Sequence, residues 1–291
     1  MSLIRFIPDH YSISSLTTAE RCARRYEMEY VYQLTPKEIG LSLAFGKAGH
    51  EGLGEYYRKG RDIEEGVTRF KLFWTPFEGK DKDGILTQAK GEEILRAYHE
   101  QFGKMEEEEF EVVHIEYPFT VDLACSDLPF VGVIDLILRE RSTGELIPVE
   151  WKFTKSSWGF VSRPNSQIVG YARATSIITK EKVERVLFNV NGIVKSSENG
   201  LIKGRKKDEP PRSIFNRIPV DLDPWDFTEW DSDVEEVVGN IRRWETLTFY
   251  YPKKTSSCGD FKGCPFIPIC IAPPSQREFF MESNFGIKEE K

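Results

Sequence analysis

"GVIDLILRERSTGELIPVEWK", residues 132–152, carries two apolar segments on either side of a polar turn. Runs of Val, Ile and Leu bounded by turn residues indicate two strands of an antiparallel hairpin around "RSTGE". Asp135 lies in the first strand, and Glu150 and Lys152 lie in the second. Because side chains alternate between the faces of a strand, Glu150 and Lys152 share a face.

The register of this hairpin decides whether Asp135 joins them. Directly opposed residues of an antiparallel pair point to the same face. A two-residue turn at 142–143 places Asp135 opposite Glu150, and a turn at 143–144 places it opposite Lys152. Both registers put the three side chains on one face, whereas a loop with an odd number of residues separates them unless a bulge restores the parity.

Two carboxylates and a lysine on one strand face are difficult to explain by core packing. Buried like charges repel, and each raises the pKa of the other. Mg²⁺ or Mn²⁺ resolves the conflict, because both prefer carboxylate oxygens, and a bound metal can assist phosphate displacement. Lys152 could position or deprotonate a water, or offset developing charge. The alternative is an exposed strand end with an ordinary Glu–Lys ion pair.

The composition is that of a soluble protein with room for a sizeable core. The chain has 291 residues, 40% of them hydrophobic, and a net charge of -7. It has no apolar run of the roughly 20 residues that a membrane span requires, and "MSLIRFIPDHYS" lacks the apolar core of a signal peptide. We therefore expect a cytoplasmic location, in the host cytoplasm if the gene is viral. The acidic total argues against nonspecific coating of nucleic acid but leaves room for a local basic cleft.

The pattern along the chain predicts an α/β fold with a mixed central sheet and flanking helices. We expect a single domain over 1–291, with a helical part at 1–109, a core at 110–194, and a basic hairpin, helix and cysteine segment at 195–291. "EEEE" at 106–109 is interpreted as a solvated helix end. The predicted helices are 12–34, 44–60, 62–77, 88–105, 165–180, 227–248 and 274–282, and the predicted strands are 110–123, 130–138, 145–153 and 183–194.

Asp135 and Glu150-Trp151-Lys152 resemble the motif of the PD-(D/E)XK nuclease superfamily, although Ile134 stands where the motif name has Pro. Further motifs resemble the RecB-type, Cas4-like branch and occur in its order. "FGKAGHEGL" matches a Gly-x-x-x-His motif at His50, "QIVGY" (167–171) matches a Gln-x-x-x-Tyr motif, and "IEYPF" (115–119) matches a strand carrying an acid at Glu116. These matches span roughly residues 12–175.

The resemblance implies a restriction-endonuclease-like core and a role for each matched residue. The implied metal ligands are His50, Glu116, Asp135, Glu150 and the carbonyl of Trp151. The implied catalytic residues are Asp135, Glu150, Lys152, Gln167 and Tyr171, with Lys152 acting on the water and the last two holding the substrate. Each has a plainer alternative: His50 as a surface histidine, Glu116 as an exposed strand residue, and Gln167 with Tyr171 as a helix pair packing on the sheet.

Four cysteines form a second constellation. Cys258, Cys264 and Cys270 are spaced with five residues between successive members, and Cys22 lies in "AERCARRYEMEY". This one-plus-three arrangement resembles nucleases of the Cas4-like type that hold a [4Fe–4S] cluster, although the first C-terminal gap is longer than is frequent there. Four thiolates also suit zinc, and unligated thiols are the remaining alternative. Cys125 matches no motif and is expected to be an ordinary thiol.

A basic stretch, "KGRKKDEPPR" (203–212), suggests contact with a phosphate backbone, although such a run is usually a solvated loop. Arg24 and Arg25 could line the same cleft, and Trp158 and Phe160 could stack on bases or simply pack in the core. The predicted DNA-binding residues are Lys155, Arg163, Lys203, Arg205, Lys206 and Lys207.

The expected function is that of an Mg²⁺- or Mn²⁺-dependent deoxyribonuclease, an exonuclease acting on DNA ends or single strands in recombination, repair or nucleic-acid processing. No G-x-x-x-x-G-K-[ST] loop occurs in the sequence, so a motor activity would come from a separate helicase or recombination partner. No membrane partner is expected. The alternative is a non-catalytic DNA-binding or assembly module that retains the nuclease fold.

Overall fold

The computed structural model of the chain describes residues 5–154, 165–193, 215–247, 250–259 and 263–287. Within these ranges the helices are α1 (Ile13–Arg21), α2 (Ala23–Tyr26), α3 (Leu41–Arg58), α4 (Ile63–Trp74), α5 (Gln88–Tyr98), α6 (Lys104–Glu109), α7 (Ser166–Thr179), α8 (Pro224–Glu245), α9 (Ile267–Ile271) and α10 (Pro274–Asn284). The strands in the same ranges are β1 (Leu34–Pro36), β2 (Phe110–Val121), β3 (Phe130–Glu140), β4 (Leu146–Thr154), β5 (Arg185–Gly192), β6 (Phe215–Asp221) and β7 (Phe285–Ile287).

A five-stranded sheet in the order β2-β3-β4-β5-β6 forms the centre of the fold. β4 and β5 run parallel, whereas β3 pairs antiparallel with β4 and β6 pairs antiparallel with β5. Parallel neighbours need a crossover, and α7 lies in that connection. The sheet is therefore mixed and flanked by helices, which confirms the predicted restriction-endonuclease-like α/β class.

The chain divides into two compact units. We call them the terminal unit (Met1–Ile39, Thr120–Gly132 and Thr228–Lys291) and the central unit (Gly40–Phe119 and Val133–Phe227). The predicted single domain over 1–291 stays a prediction. No helix in the described part of the chain is both long enough and apolar enough to cross a membrane.

The core of the central unit lies between helices α3, α4 and α5 and the strands β3 and β4. Trp151 of β4 is fully buried there, with Leu136 and Leu138 of β3 and with Phe45 and Trp74 of the helices. Burying each such side chain contributes about 1.5–3 kcal/mol. These contacts hold β4, which carries Glu150 and Lys152, against the helix that carries His50.

The terminal unit has a separate small core that joins the two ends of the chain. β1 and β7 pair antiparallel, with Leu34 opposite Ile287. Phe266 and Phe285 stack there with ring centroids 4.9 Å apart, beside the buried Met28. This core belongs to the same unit as all four cysteines of the predicted cluster site.

The predicted helix at 12–34 is wrong in its extent. α1 begins after Ser12, which forms a capping box with Ser15, and it ends at Arg21 because Cys22 is extended, with φ −164° and ψ 110°. A second short helix and a π-helical turn then lead to β1. The break gives Cys22 a backbone position outside regular helix.

The strand β6 was not predicted. It begins at Phe215 and pairs antiparallel with β5, which is compatible with the predicted basic hairpin, and residues 195–214 of that segment lie outside the described residues.

One further prediction is wrong. Glu106, predicted at a solvated helix end, is 0% exposed. It accepts hydrogen bonds from Tyr57 Oη at 2.5 Å, from Tyr98 Oη at 3.3 Å and from the guanidinium of Arg217. Glu106 can be buried because Arg217, which is distant in sequence, supplies the countercharge that a buried carboxylate needs.

Candidate active site

The hairpin of β3 and β4 has the register in which Asp135 lies opposite Glu150, one of the two expected from the sequence. Leu136 pairs with Val149 and Arg139 with Leu146, so Asp135 lies opposite Glu150. The turn is longer than two residues: the Glu140 amide donates to Glu145 O at 2.9 Å, leaving four residues between them. An even number preserves the parity, and Asp135 therefore faces the same side as Glu150.

Asp135 is held from two directions. Its side chain is 9% exposed. Its Oδ2 accepts from the backbone amide of Trp151 at 2.7 Å, and its Oδ1 lies 3.1 Å from Nδ1 of His50. His50 reaches this position because α3 lies close to β4 at Gly49, where an added Cβ would lie 2.4 Å from the ring of Phe153. A side chain at that position would push the helix, and with it His50, away from the strand.

Glu116 enters the site through an unusual backbone conformation. It lies within β2 at φ 46°, in the left-handed region that residues other than glycine adopt rarely. Ligand atoms from His50, Glu116 and Asp135 all lie within 4.8 Å of one another. Nothing in the sequence signals the positive φ, which explains why Glu116 could not be distinguished from an exposed strand residue.

Glu150 and Lys152 are locked together by Gln167. Glu150 Oε1 accepts from Lys152 Nζ and, at 2.9 Å, from Gln167 Nε2. Gln167 Oε1 accepts from Lys152 Nζ at 3.0 Å, and Gln167 Nε2 lies 3.2 Å from Tyr171 Oη, to which it donates. The side-chain amide of Gln167 thus holds Glu150 and Lys152 together. Its predicted contact with substrate stays a prediction, as does that of Tyr171.

Asn165 helps to position Gln167 and was not identified from the sequence as a site residue. It caps α7, where its Oδ1 accepts from the amide of Gln167 at 3.0 Å. Asn immediately before an amphipathic run is a known helix-start signal, so the residue could have been found. The cap places the first turn of α7 beside β4.

Electrostatics in the site show a shortage of positive charge. Burial and the charge of Asp135 raise the pKa of Glu116 to about 7, and the same causes raise the pKa of Glu150. Burial lowers the pKa of His50, but the charge and hydrogen bond of Asp135, with Glu150 and Glu116, outweigh it and raise that pKa to about 9. The site therefore draws protons to offset its converging carboxylates.

Two carboxylate oxygens in the site are buried without a hydrogen-bond partner among the described residues: Glu116 Oε1 and Glu150 Oε2. Such orphaned acceptors are costly unless a cation or donor satisfies them. Carboxylate oxygens with one imidazole suit Mg²⁺ or Mn²⁺, so the residues present fit a divalent cation. Trp151 contributes its backbone, since its ring is fully buried, and a role for its carbonyl stays a prediction.

The four predicted cluster cysteines lie in the terminal unit. Burial raises the pKa of Cys264 and of Cys270, and in both cases the charges of Cys22 and Cys258 contribute in the same direction. The amide of Cys264 donates to Cys258 O at 2.8 Å, and the amide of Lys254 donates to Cys22 Sγ at 3.4 Å. The four thiols thus influence one another electrostatically, and no three of these described sulfurs lie within 4.8 Å of one another.

The predicted DNA-contact residues are not placed. Lys155, Arg163, Lys203, Arg205, Lys206 and Lys207 lie outside the described residues, as do Trp158 and Phe160. Arg24 is only 8% exposed, because it donates from Nε to Tyr251 O at 2.8 Å. Its predicted place in a DNA-binding cleft stays a prediction, because the residues that would define the cleft are outside the described ranges.

A mixed sheet with flanking helices defines a protein of the restriction-endonuclease-like class when a central hairpin carries two acids and a lysine, and a helix brings a histidine to them. The family model described as the PD-(D/E)XK nuclease superfamily matches residues 10–271. The chain therefore belongs to the PD-(D/E)XK nuclease superfamily. No curated protein matches its sequence.

Similar solved structures are distant. One, from Eubacterium rectale and described as a "Putative exonuclease", is 14% identical with a TM-score of 0.49, covering 81% of this chain and 80% of its own. Another, described as SSO0001, is 12% identical with a TM-score of 0.38, covering 93% of this chain and 88% of its own.

Proposed function

We propose that this protein is a metal-dependent nuclease that hydrolyses phosphodiester bonds in DNA. The observation that carries the proposal is the pair of buried, unpartnered carboxylate oxygens of Glu116 and Glu150 beside His50 and Asp135. Membership of a nuclease superfamily supports the reaction class. A protein that used these acids only for packing would gain nothing from leaving their oxygens unsatisfied.

His50, Glu116, Asp135 and the free oxygen of Glu150 are the groups that would hold Mg²⁺ or Mn²⁺. A bound divalent cation supplies Lewis-acid stabilisation of a phosphoryl oxygen and lowers the pKa of a water. Asp135 is kept in place by the Trp151 amide, and the strained backbone of Glu116 keeps its carboxylate in the same group.

Lys152 is the residue that meets the reacting groups. Its side chain is 34% exposed, whereas that of Glu150 is 3% exposed, so the ammonium stands between the buried acids and solvent. There it orients the attacking water or donates to a phosphoryl oxygen as negative charge develops. Gln167 is a positioning residue, since it bridges Lys152 and Glu150.

The substrate mode follows the RecB-type, Cas4-like motifs, which occur in order along the chain. The proposed enzyme is an exonuclease acting on DNA ends or single strands in recombination, repair or nucleic-acid processing. It would work in the cytoplasm with a separate helicase or recombination protein. Basic residues that follow β4 and β5 in the sequence, including Lys155 and Arg205, would contact the phosphate backbone.

Cleavage of labelled DNA tests this function. Wild-type protein should degrade single- or double-stranded DNA with Mn²⁺ and stop when the metal is chelated. Asp135→Ala and Lys152→Ala should each lower the rate by at least about a hundredfold, the scale of losing one transition-state contact. Glu64→Gln, which removes an exposed acid bonded to Arg96, is the matched control. Undiminished cleavage in both site variants would refute the catalytic assignment.

We further propose a [4Fe–4S] cluster held by Cys22, Cys258, Cys264 and Cys270, with zinc as the alternative occupant. All four cysteines lie in the terminal unit, and the amide of Cys264 donates to Cys258 O, which supports a shared group that would tie α1 and α2 to the C-terminal segment. Anaerobic purification with a visible spectrum and iron analysis tests it. Cys22→Ser should lose the colour and Cys125→Ser should keep it, whereas a colourless wild type with about one zinc would favour zinc.

A further inference from the structure

Arg58 lies beside the metal-site acids without having been assigned a role. It is on the same face of α3 as His50 and Gly54, since residues four apart on a helix are neighbours. The position that a Cβ on Gly54 would take is 3.3 Å from Arg58 Nη2 and 3.3 Å from Glu116 Cγ. The guanidinium and the side chain of Glu116 therefore both pack over Gly54, close to each other.

The guanidinium is available to a ligand. The side chain of Arg58 is 43% exposed. Within the described part of the chain, its hydrogen-bond partner is Glu55, whose Oε2 accepts from Nη1 at 3.2 Å. Because a guanidinium has five donors, most of them are left for another acceptor.

Arg58 does not act as the fixed countercharge of Glu116. Among the described residues it forms its ion pair with Glu55 and not with Glu116. The guanidinium of Arg58 thus lies near Glu116 without forming an ion pair with it.

We propose that Arg58 binds a phosphate of the substrate strand next to the scissile phosphate. A guanidinium presents paired N–H donors that match phosphate oxygens, and it keeps its charge at every working pH. Gly54 lets the guanidinium and the Glu116 side chain both approach α3 closely, so a phosphate bound by Arg58 would lie near the site acids. This inference rests on the proposed nuclease function and adds a substrate contact supplied by the N-terminal helices.

The test is equilibrium binding of a labelled single-stranded oligonucleotide with Ca²⁺ in place of Mn²⁺, repeated over a range of salt concentrations. Arg58→Gln should weaken binding about tenfold, the scale of a charge-assisted contact. It should also reduce the slope of log K against log salt by about 0.7, the value for one phosphate contact on a single strand. Arg58→Lys should keep the slope and recover part of the affinity.

Lys59→Gln is the matched control. Lys59 is the next residue, is 52% exposed and lies 3.8 Å from the same Glu55, so the same charge is removed from the same helix end. It should leave affinity and slope unchanged. Thermal unfolding of each variant verifies the fold, and calorimetric titration of Mn²⁺ alone should give the wild-type affinity in Arg58→Gln.

The outcomes separate the two proposals. A wild type that neither binds nor cleaves nucleic acid overturns the nuclease function itself. A wild type that binds and cleaves, with Arg58→Gln matching it in affinity and slope, overturns only the role of Arg58. Changed Mn²⁺ affinity in Arg58→Gln with an unchanged slope also overturns it, since Arg58 would then act on Glu116 alone.

Discussion

Glu106 and Glu150 are both buried carboxylates of the central unit, but they obtain their countercharge differently. Glu106 has partners on both oxygens, from two tyrosines and the guanidinium of Arg217, whose own side chain is 13% exposed. Glu150 has one oxygen bonded to Lys152 and Gln167, and the other has no hydrogen bond among the described residues.

The difference separates a structural acid from a candidate functional one. A buried charge with a permanent internal partner stabilises one conformation, and removing either member leaves the other unpaired. Three converging acids with a partly exposed lysine and a histidine instead leave carboxylate oxygens to which an external cation could bind. Burial alone does not distinguish Glu106 from Glu150, because both are buried. The carboxylate oxygens that lack a hydrogen bond among the described residues, on Glu116 and Glu150, are what distinguish the candidate site.

The largest effect on stability is expected at the structural acid. Glu106→Gln should lower the free energy of unfolding by about 3–5 kcal/mol, because it leaves the Arg217 charge buried without its partner. Urea unfolding followed by circular dichroism measures this loss. A change below about 1 kcal/mol would show that Arg217 is paired adequately by other groups.

A divalent cation should stabilise the protein through the carboxylates of the candidate site, Glu116, Asp135 and Glu150, and not through Glu106. At a Mn²⁺ concentration of about one hundred times Kd, the wild type should gain about 2.7 kcal/mol against urea, because the cation binds the folded state. Most of this gain should disappear in Glu116→Gln. An equal gain in that variant would place the metal elsewhere.

Tyr57→Phe should have a moderate effect on the fold. The change removes the hydroxyl that donates to Glu106 at 2.5 Å but keeps the ring, which stacks on Trp151 at 5.7 Å with an interplanar angle of 9°. We expect a loss of about 1.5–2 kcal/mol, typical of a hydrogen bond to a charged group. The DNA cleavage rate should be unchanged. A large loss of activity would mean that the hydrogen bonds around Glu106 are coupled to the candidate active site.

The smallest expected effect is a gain in stability, in contrast to the losses expected above. In chelator at pH 8, Glu116→Gln should stabilise the protein by about 1 kcal/mol, because it removes one of three mutually repelling carboxylates. Urea unfolding without metal gives the value. Destabilisation there would indicate that Glu116 is an ordinary structural acid like Glu106.

The sequence predicted those features of the site that follow from local periodicity and parity. Alternation along the strands placed Glu150 and Lys152 on one face, and an even loop brought Asp135 to it. The left-handed backbone of Glu116 has no local signal in the sequence, and the pairing of Glu106 with Arg217 could not be predicted because it joins elements distant in sequence. For the same reason a charged run at 106–109 suggested solvent where one member is buried.

Calorimetric titration of Mn²⁺ into the metal-free protein tests the central claim most directly. Wild type and Glu64→Gln, an exposed-acid control, should bind the cation with the same affinity, and Asp135→Asn should bind at least about tenfold more weakly, because it removes the charge that joins His50 to the acids. Equal affinity in all three proteins would contradict the claim that these buried acids form a divalent-cation site.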